Sequence, residues 1–558
     1  MSTQPEPASS DASQARNQTD VFAVHGADPE VLAYAMAKYS RSALSMRQSL
    51  KEISAQRAEQ FLNTFYFQYG HRSIADLAHV AFAIERLSLL AAIVLVDEQR
   101  WDGQERSTRY QNFLKSGWYF PDFGPDFGPA SHSAELYSQT VTNLFATYER
   151  TTAAVLEALR HRIPCPPTLK PEAYARTLKA RAFDVARYLL PLATNTSLGQ
   201  IVNARTLETQ VSRLLSSPIA EVRDLGLKLR EAATGPAWNI NAQPAAAFVQ
   251  KLDAIEKGTG LSPYINAPKE EGALAPEATL AEQAASLFTR EVRTAPTLVK
   301  YAEPNLYQIQ TQAELAQAAS DLLGELPIAN SPVVDLVERT ESLEVELAAT
   351  LLYSASHHPY RQIRDLLAAF PEARISEIIE IGLRRRGRHD EALRAFHAGA
   401  ALRFDILMDI GGFRDMHRHR RVTQIIQGVT PLHGCDIPDC GDLEPGVNLL
   451  AEAGVEAEFL SALAAAHAAS AQIAASSAPE AAQSALYLLP LATRIRSLFK
   501  MDFAEAQYIS ELRSGPAGHF SYRRVAWEMF KALERQHPAL SKHIRVTDFT
   551  QPIDLLQR

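Results

Sequence analysis

One run of six residues occurs twice in this chain. Leu189-Leu190-Pro191-Leu192-Ala193-Thr194 returns as Leu488-Leu489-Pro490-Leu491-Ala492-Thr493. Looser echoes keep the same order. Ala35-Met36-Ala37-Lys38-Tyr39-Ser40 precedes the first run as Ala348-Ala349-Thr350-Leu351-Leu352-Tyr353-Ser354 precedes the second. His389 falls near the place of a counterpart to His71, though at a different spacing. A duplication of this kind constrains the fold more than any composition does, because the chain must build one structural unit twice. Between about 240 and 280 the sequence is rich in Ala, Pro, Gly and Lys/Glu, which is linker composition. The expected organisation is a disordered tail over 1–20, a first unit over 21–240, a linker over 241–285 and a second, more divergent unit over 286–558.

Of the 558 residues, 46% are hydrophobic and 22% charged, so a packed core is within reach. The net charge of −8 gives no global basic field, and nucleic acid is not an expected partner. Any anion site has to come from a local cluster. Cys165, Cys435 and Cys440 make no disulfide framework and suit a reducing compartment. No signal-like segment opens the sequence, and the longest apolar run, Leu87 to Val96, suits a buried helix rather than a membrane span. A cytoplasmic location without membrane attachment is expected.

The pattern predicts helices from Asp28 to Tyr39, over Phe61–Tyr69, over Ser88–Glu98 and over about Ser133–Arg160, with another beginning near Val202. Strands are expected over Ala78–Arg86 and Glu105–Phe113. The tandem turn repeat from Pro121 to Pro129, inside an insertion over 119–132, is expected on the surface.

Two stretches concentrate chemistry-bearing residues. The first is Gly70-His71-Arg72-Ser73, followed by Asp97-Glu98-Gln99-Arg100-Trp101-Asp102-Gly103-Gln104-Glu105-Arg106-Ser107-Thr108-Arg109-Tyr110. The second is Arg414-Asp415-Met416-His417-Arg418-His419-Arg420-Arg421-Val422-Thr423-Gln424. Singly, each feature has a plain reading. The basic run His417–Arg421 reads as a solvated helix end. Glu105 and Arg109, four apart, read as a surface ion pair worth roughly 0.5 kcal/mol. Arg187 could snorkel beside an apolar turn. Cys165 between two prolines reads as a buried turn. His433, Cys435 and Cys440 have irregular spacing for zinc, and no metal site is expected.

Taken together the two stretches resemble the signature of the flavin-dependent thymidylate synthases, Arg-His-Arg-x-x-Ser-x-Asn-Glu-x-Ser-x-Arg-Tyr. The first half keeps its back, as Glu105, Ser107, Arg109 and Tyr110, while Asp97-Glu98-Gln99 stands in place of Arg-His-Arg. The second half keeps the front, Arg418-His419-Arg420, while Gly428-Val429-Thr430-Pro431 replaces the back. The family's Arg-x-x-Leu-Pro matches Arg187-Tyr188-Leu189-Leu190-Pro191, with Leu486 for that arginine in the second half. Its Asn-Ala-Arg matches Asn203-Ala204-Arg205, which becomes Asp502-Phe503-Ala504. A late arginine matches Arg513, and Arg213 falls one residue short of it.

The resemblance implies an α+β fold: two tandem helix-rich units, each with a small antiparallel sheet, packed as a pseudo-dimer. It implies one composite site with a dUMP-like nucleotide held by Glu105, Ser107, Arg109, Arg187, Arg418 and Arg513. FAD would be held by His71, Ser73, Asn203, Arg205, Arg418, His419 and Arg420, with no protein nucleophile. Arginine suits the first role because its planar fork donates to two phosphate oxygens at once and stays charged. The implied activity is reductive methylation of dUMP with methylene-tetrahydrofolate and NADPH. The alternatives are a related flavoenzyme acting on another pyrimidine nucleotide, or a non-catalytic nucleotide-binding homologue. By analogy with the family's tetramer, two chains would form a homodimer of fused pseudo-dimers. In the degenerate copy, Asp97 and Glu98 would repel phosphate, and Asp97→Ala is expected to change little.

Overall fold

The computed structural model describes residues 26–38, 72–123, 132–259, 279–289, 291–338, 340–387, 390, 392–437, 447–476 and 480–556. The expected helix over Phe61–Tyr69, most of the Pro121–Pro129 repeat, His71, His389 and Cys440 lie outside them. The chain forms two compact units. One comprises Met1–Val80, Asn203–Arg205 and Ala232–Lys300, and the other Ala81–Val202, Thr206–Glu231 and Tyr301–Arg558.

In the first unit, the helix Pro29–Lys38 opens on proline, whose missing N–H costs nothing at a helix start. Glu30 is buried there and accepts the N–H groups of Thr297 (2.9 Å) and Leu298 (2.8 Å). The stretch expected to be linker carries the helix Ala242–Thr259, and Leu280–Phe288 is helical too. Thr279 and Glu282 form a capping box, and the Glu256 carboxylate takes the N–H groups of Leu280 (2.6 Å) and Ala281 (3.0 Å). Donors left free at a helix start are thereby met. Alanine, lysine and glutamate are good helix formers, so composition alone misleads here.

The second unit contains both repeats. Its first sheet has the order β1 (His79–Ser88), β3 (Asn195–Asn203), β2 (Asp102–Glu105). Its second sheet has the order β4 (Val334–Leu336), β5 (Leu402–Asp409), β7 (Arg494–Met501), β6 (Thr423–Ile426). The duplication extends to register. Glu105 faces Leu198 and Asp102 faces Ile201 in one antiparallel ladder, as Ile426 faces Ser497 and Thr423 faces Lys500 in the other. The fold is α+β, with small antiparallel sheets among many helices.

Each copy turns from strand to helix by the same device. Ser88 ends β1 and accepts the Ala91 N–H (2.9 Å) to start the helix Leu89–Leu95. Asp409 ends β5 and accepts the Gly412 N–H (2.6 Å) to start Ile410–Met416. These are N-caps. The cap's further partner is exchanged between copies. Ser88 donates to Glu221 (2.6 Å), whereas Asp409 accepts from Ser521. Tyr487 of the second copy donates to Glu221 in the first (2.9 Å), and Tyr188 of the first is hydrogen-bonded to Asp409 in the second.

These crossed contacts follow from how the six-residue repeats meet. Leu192 and Ala193 donate their N–H groups to the carbonyls of Leu489 and Tyr487 (2.9 and 2.8 Å). Reciprocally, Leu491 and Ala492 donate to Leu190 and Tyr188 (2.9 and 3.1 Å). Pro191 faces Pro490 at the centre. Identical segments paired antiparallel about one point make a local two-fold axis, and the two copies pack as a pseudo-dimer.

Three expectations need correction. The strand expected over Glu105–Phe113 ends at Glu105, and the following loop wraps around the Arg106 guanidinium. That group donates to Gln111 (2.8 Å), Ser116 (2.7 Å) and the Asn112 carbonyl (2.9 Å). The turn repeat is not wholly superficial, since Phe123 is buried edge-on against Phe120 and Tyr137. Cys165 is exposed rather than buried.

The exchanged cap pair gives a test by double-mutant cycle. Ser521→Glu alone places a second acid beside buried Asp409, and Asp409→Ser alone leaves Ser521 without its acceptor; each is expected to lower stability by about 1–3 kcal/mol in urea titration. The double variant copies the first repeat's Ser88–Glu221 pairing and is expected to recover part of that loss.

Candidate functional site

The local axis sets residues of one copy beside different residues of the other. The helix Ile410–Met416 carries Arg414 and Asp415, and the segment behind it carries Arg418-His419-Arg420. From the first copy, Arg414 meets β2 at Glu105, Asp415 lies near Arg187, and Arg420 meets the Val96–Trp101 segment before β2. The Arg414 guanidinium pairs with Glu105, both largely buried. Trp101 lies alongside, its indole N–H donating to Gln200 (2.7 Å), with the Arg420 guanidinium 4.8 Å above the ring. Gly103 allows this approach, because a Cβ there would collide with the Gly199 carbonyl and the Trp101 ring. Trp101, Gly103, Glu105, Arg414, Arg418 and Arg420 line a shallow cleft of ≈ 340 Å³, open solvent included.

Deeper in, Arg109 is buried and binds Asp184 with two bonds (2.7 and 3.0 Å), Tyr522 (2.8 Å) and the Ala517 carbonyl (3.2 Å). Burial works against its charge, but Asp184 outweighs that and drives its pKa upward. Arg513 lies over the same Tyr522 ring at 5.4 Å. Arg187 is 1% exposed. Its Nη1 is 3.5 Å from Thr108 and 3.8 Å from Asp415, while its Nε and Nη2 have no hydrogen-bond partner. Ser107 accepts the Arg109 N–H (3.2 Å) and closes the loop.

His419 is buried and accepts from Arg513 Nε (2.8 Å), with Glu505 3.5 Å from its other nitrogen. Burial, then Arg513 and Arg420, push its pKa down to about 3, so the ring is neutral. Arg420 donates to the carbonyls of Val96 (2.6 Å) and Glu98 (3.2 Å). Burial pushes it down to about 10; Asp97 opposes that shift and Arg418 adds to it. Arg418 is exposed and makes no hydrogen bond or ion pair among the described residues. The basic run is therefore only partly a solvated helix end.

The structure thus brings Glu105, Ser107, Arg109, Arg187, Arg418, His419, Arg420 and Arg513 into one region across the local axis. Glu105 and Arg109 do not pair with each other; each is held by a residue distant in sequence. Arg187 is enclosed and does not snorkel. Asn203 and Arg205 lie in the first unit, where Arg205 sits 3.4 Å from Asp76, and the Ser73 side chain is not among those described.

Asp97 and Glu98, which stand in place of the motif's Arg-His-Arg in the first copy, are held in ion pairs. Asp97 pairs with Arg394 (2.5 Å) and lies 3.7 Å from His417; burial opposes its charge, but Arg394, His417 and Arg213 outweigh it and hold it at about 2. Glu98 pairs with Arg213 (2.8 Å). Asp97 is therefore not a free repellent carboxylate. Asp97→Ala would strand the largely buried Arg394 charge and should not be neutral.

A profile of the family described as thymidylate synthase complementing protein matches the chain twice, over residues 23–234 and 335–539. The chain belongs to this family. It is a tandem member, and each matched region contains one of the two six-residue runs that meet at the local axis. A UPF0159 protein of Chlamydia muridarum is 28% identical over 555 residues, covering 94% of this chain and 91% of its own length. One from Thermoplasma acidophilum is 24% identical over 544 residues, covering 92% and 94%. A flavin-dependent thymidylate synthase of Clostridium tetani is 23% identical over 180 residues, 32% of this chain and 67% of that protein. Among solved structures, a Helicobacter pylori flavin-dependent thymidylate synthase complexed with FAD and dUMP aligns at 19% identity with a TM-score of 0.24, covering 37% of this chain and 89% of that one.

Sequence reasoning missed Trp101, Asp184, Arg414 and Tyr522 as parts of this region, whereas Asp415, just before Arg-His-Arg, reads from the sequence as a change to the pocket. Arg414, Asp415 and Trp101 lay inside the quoted stretches. Asp184 and Tyr522 carried no local signal, because what matters is their contact with Arg109, 75 and 413 residues away in sequence. Among the described residues no helix is long and apolar enough to cross a membrane, and no three His, Cys, Asp or Glu side chains converge as a metal site.

His419 makes stability pH-dependent. With an ordinary pKa of 6.5 in the unfolded chain and about 3 in the fold, only the unfolded chain takes the proton between those values. Its contribution is therefore lost as pH falls from 6.5 towards 3. Urea midpoints across that window are expected to show a shallower acid slope for His419→Gln than for the parent.

Proposed function

We propose that this chain is a flavin-dependent methyltransferase of the thymidylate synthase type, with one composite active site per chain. The observation carrying this is a set of cations without carboxylate partners. Arg418 has none, Arg513 bonds only neutral His419 and lies over Tyr522, and Arg420 bonds only carbonyls and the Trp101 ring. Arg187 adds two buried donors with nothing to bind. Buried or clustered guanidinium donors normally find partners, and a nucleotide phosphate supplies them. The family membership and the name of the Clostridium tetani relative favour the same chemistry.

A bound flavin would supply hydride and one-carbon transfer chemistry. The chain's own residues bind and orient. Arg418, Arg420 and Arg513 would take anionic oxygens, with Glu105 fixing Arg414 beside them. Arg109 and Ser107 would shape the loop, and Trp101 would give a flat apolar wall that excludes water. His71, Ser73, Asn203 and Arg205 belong to the flavin-binding set proposed from the family pattern. Methylene-tetrahydrofolate and NADPH are the proposed co-substrates, and two chains the proposed assembly.

One observation favours a second reading. Asp415 sits 3.8 Å from Arg187 and also faces Arg109, which lowers the positive charge offered to a phosphate. A different pyrimidine nucleotide as substrate would suit that balance.

The test starts with the visible spectrum of the full chain purified and titrated with FAD. One flavin per chain, with dTMP formed from dUMP, methylene-tetrahydrofolate and NADPH, is the expected result. Arg418→Ala is expected to weaken dUMP binding about tenfold or more, roughly 1.4 kcal/mol, without moving the unfolding midpoint, since this side chain holds nothing in the fold. Flavin binding with turnover of another pyrimidine nucleotide only would select the second reading. A folded chain that binds neither FAD nor dUMP would overturn both.

A further inference from the structure

The second copy contains a cluster of buried polar atoms that the proposed active site does not use. It lies between the loop over 355–359, the loop over 427–434 and the start of β7. His357 and His433 meet ring to ring, with centroids 5.9 Å apart and planes at 78°. His357 Nδ1 and His433 Nε2 have no hydrogen-bond partner, nor do Arg494 Nε and Arg496 Nε. His433 is 7% exposed and Arg496 2%. Arg496 is anchored by Asp405 (3.0 Å) and Ser331 (2.7 Å), and Arg494 Nε faces Asp436 at 3.8 Å, an ion pair too long for a hydrogen bond.

The first copy provides an internal control. Gly117 and Gly434 are equivalent: both have positive φ (71° and 68°), and their carbonyls accept from Asn195 and Arg494. The preceding residues, Ser116 and His433, are therefore equivalent. Arg106 and Gln427 are equivalent too, since they donate their N–H groups to the carbonyls of Ser197 and Arg496. In the first copy these positions satisfy each other, Arg106 donating to Ser116 at 2.7 Å. In the second copy they do not. Gln427 Nε2 turns to the His358 carbonyl (3.0 Å), and Gln427 Oε1, His357 Nδ1, His433 Nε2 and the two arginine Nε–H groups are left without hydrogen-bond partners.

Glycines flank the rings. A Cβ on Gly428 would lie 4.0 Å from His357 Cε1, and one on Gly434 would lie 3.3 Å from Arg494 Nη2. Burial, then Arg496, His357 and Arg494, push His433 down to about 4.

We propose that His357, His433, Arg494 and Arg496 form a second binding site, for a small oxyanion of the phosphate class. The oxyanion accepts from the two arginine Nε–H groups and from the free ring nitrogens once these carry protons. Ordered water would also fill orphaned donors, but water needs no cations. Free phosphate and the phosphate of a nucleotide share this chemistry.

The experiment uses the full chain carrying Arg418→Ala, which weakens the proposed active site, and the second site is read from the binding that the histidine substitutions remove. Inorganic phosphate is titrated by calorimetry in a chloride-poor buffer, and a nucleoside 5′-monophosphate is titrated in parallel. Saturable phosphate binding, weakened about tenfold or more by His433→Asn and by His357→Asn with unchanged unfolding midpoints, supports the site. Equal affinities for the two probes assign a free oxyanion, and tighter nucleotide binding assigns a nucleotide tail. In 13Cε1-histidine spectra, the two signals that these substitutions delete should move on adding phosphate. Should either variant unfold early, those shifts in the parent decide the matter. Absent shifts, or heats indifferent to both substitutions, would overturn the proposal and leave buried water as the occupant.

Discussion

The second compact unit depends on the pairing of two identical backbone segments around Pro191 and Pro490. Proline has no N–H to give a ladder, so the bonds fall on either side of it, from Leu192 and Ala193 in one direction and Leu491 and Ala492 in the other. That arrangement is self-complementary and fixes the geometry of both copies at once. It also brings Tyr188 to Asp409 and Tyr487 to Glu221, so each copy's strand-to-helix turn is completed by the other. Neither repeat contains all the partners of its own buried cap.

Once two copies share an axis, their equivalent positions can diverge so long as each local charge balance closes. The acid and the hydroxyl of the cap pair have changed places, Ser88 with Glu221 against Asp409 with Ser521, and the buried hydrogen bond survives both ways. The signature region has diverged further. Around Asp97 and Glu98, Arg394 and Arg213 match carboxylates with cations, and little charge is left for a ligand. Around Arg418, His419 and Arg420 the matching is incomplete. The histidine is kept neutral, and Arg418 and Arg513 make no ion pair with a described carboxylate. The asymmetry between the two signature segments is one of charge pairing.

Much of this was legible in the sequence because repeats and helix starts are local signals. The six-residue run, the helix after Ser88 and the long helix His132–Arg162 needed only neighbouring residues to be read. What sequence could not give were distant choices of partner. Alternation from Glu105 to Phe113 looks like a strand until Arg106 folds its own loop. An Ala- and Lys-rich stretch looks like a linker until Glu256 caps the next helix. Glu105 and Arg109 stand at helical spacing, but no helix exists there, so each is free to pair elsewhere.

Those distant partners also change what the arginines can do. Arg109 uses its donors on Asp184, Tyr522 and Ala517, which joins the first copy's loop to the second copy's helices. A bidentate pair this deeply buried is strongly destabilised by losing one member, by about 3–5 kcal/mol, because the remaining charge is left without compensation. Arg109 is therefore framework first, and any contact with substrate has to coexist with Asp184. Arg418 has the opposite character, exposed and unpaired, so a ligand's charge would be its main interaction. Motif letters alone rank these two arginines equally. Their burial and partners separate the one that builds the site from the one that is free to bind.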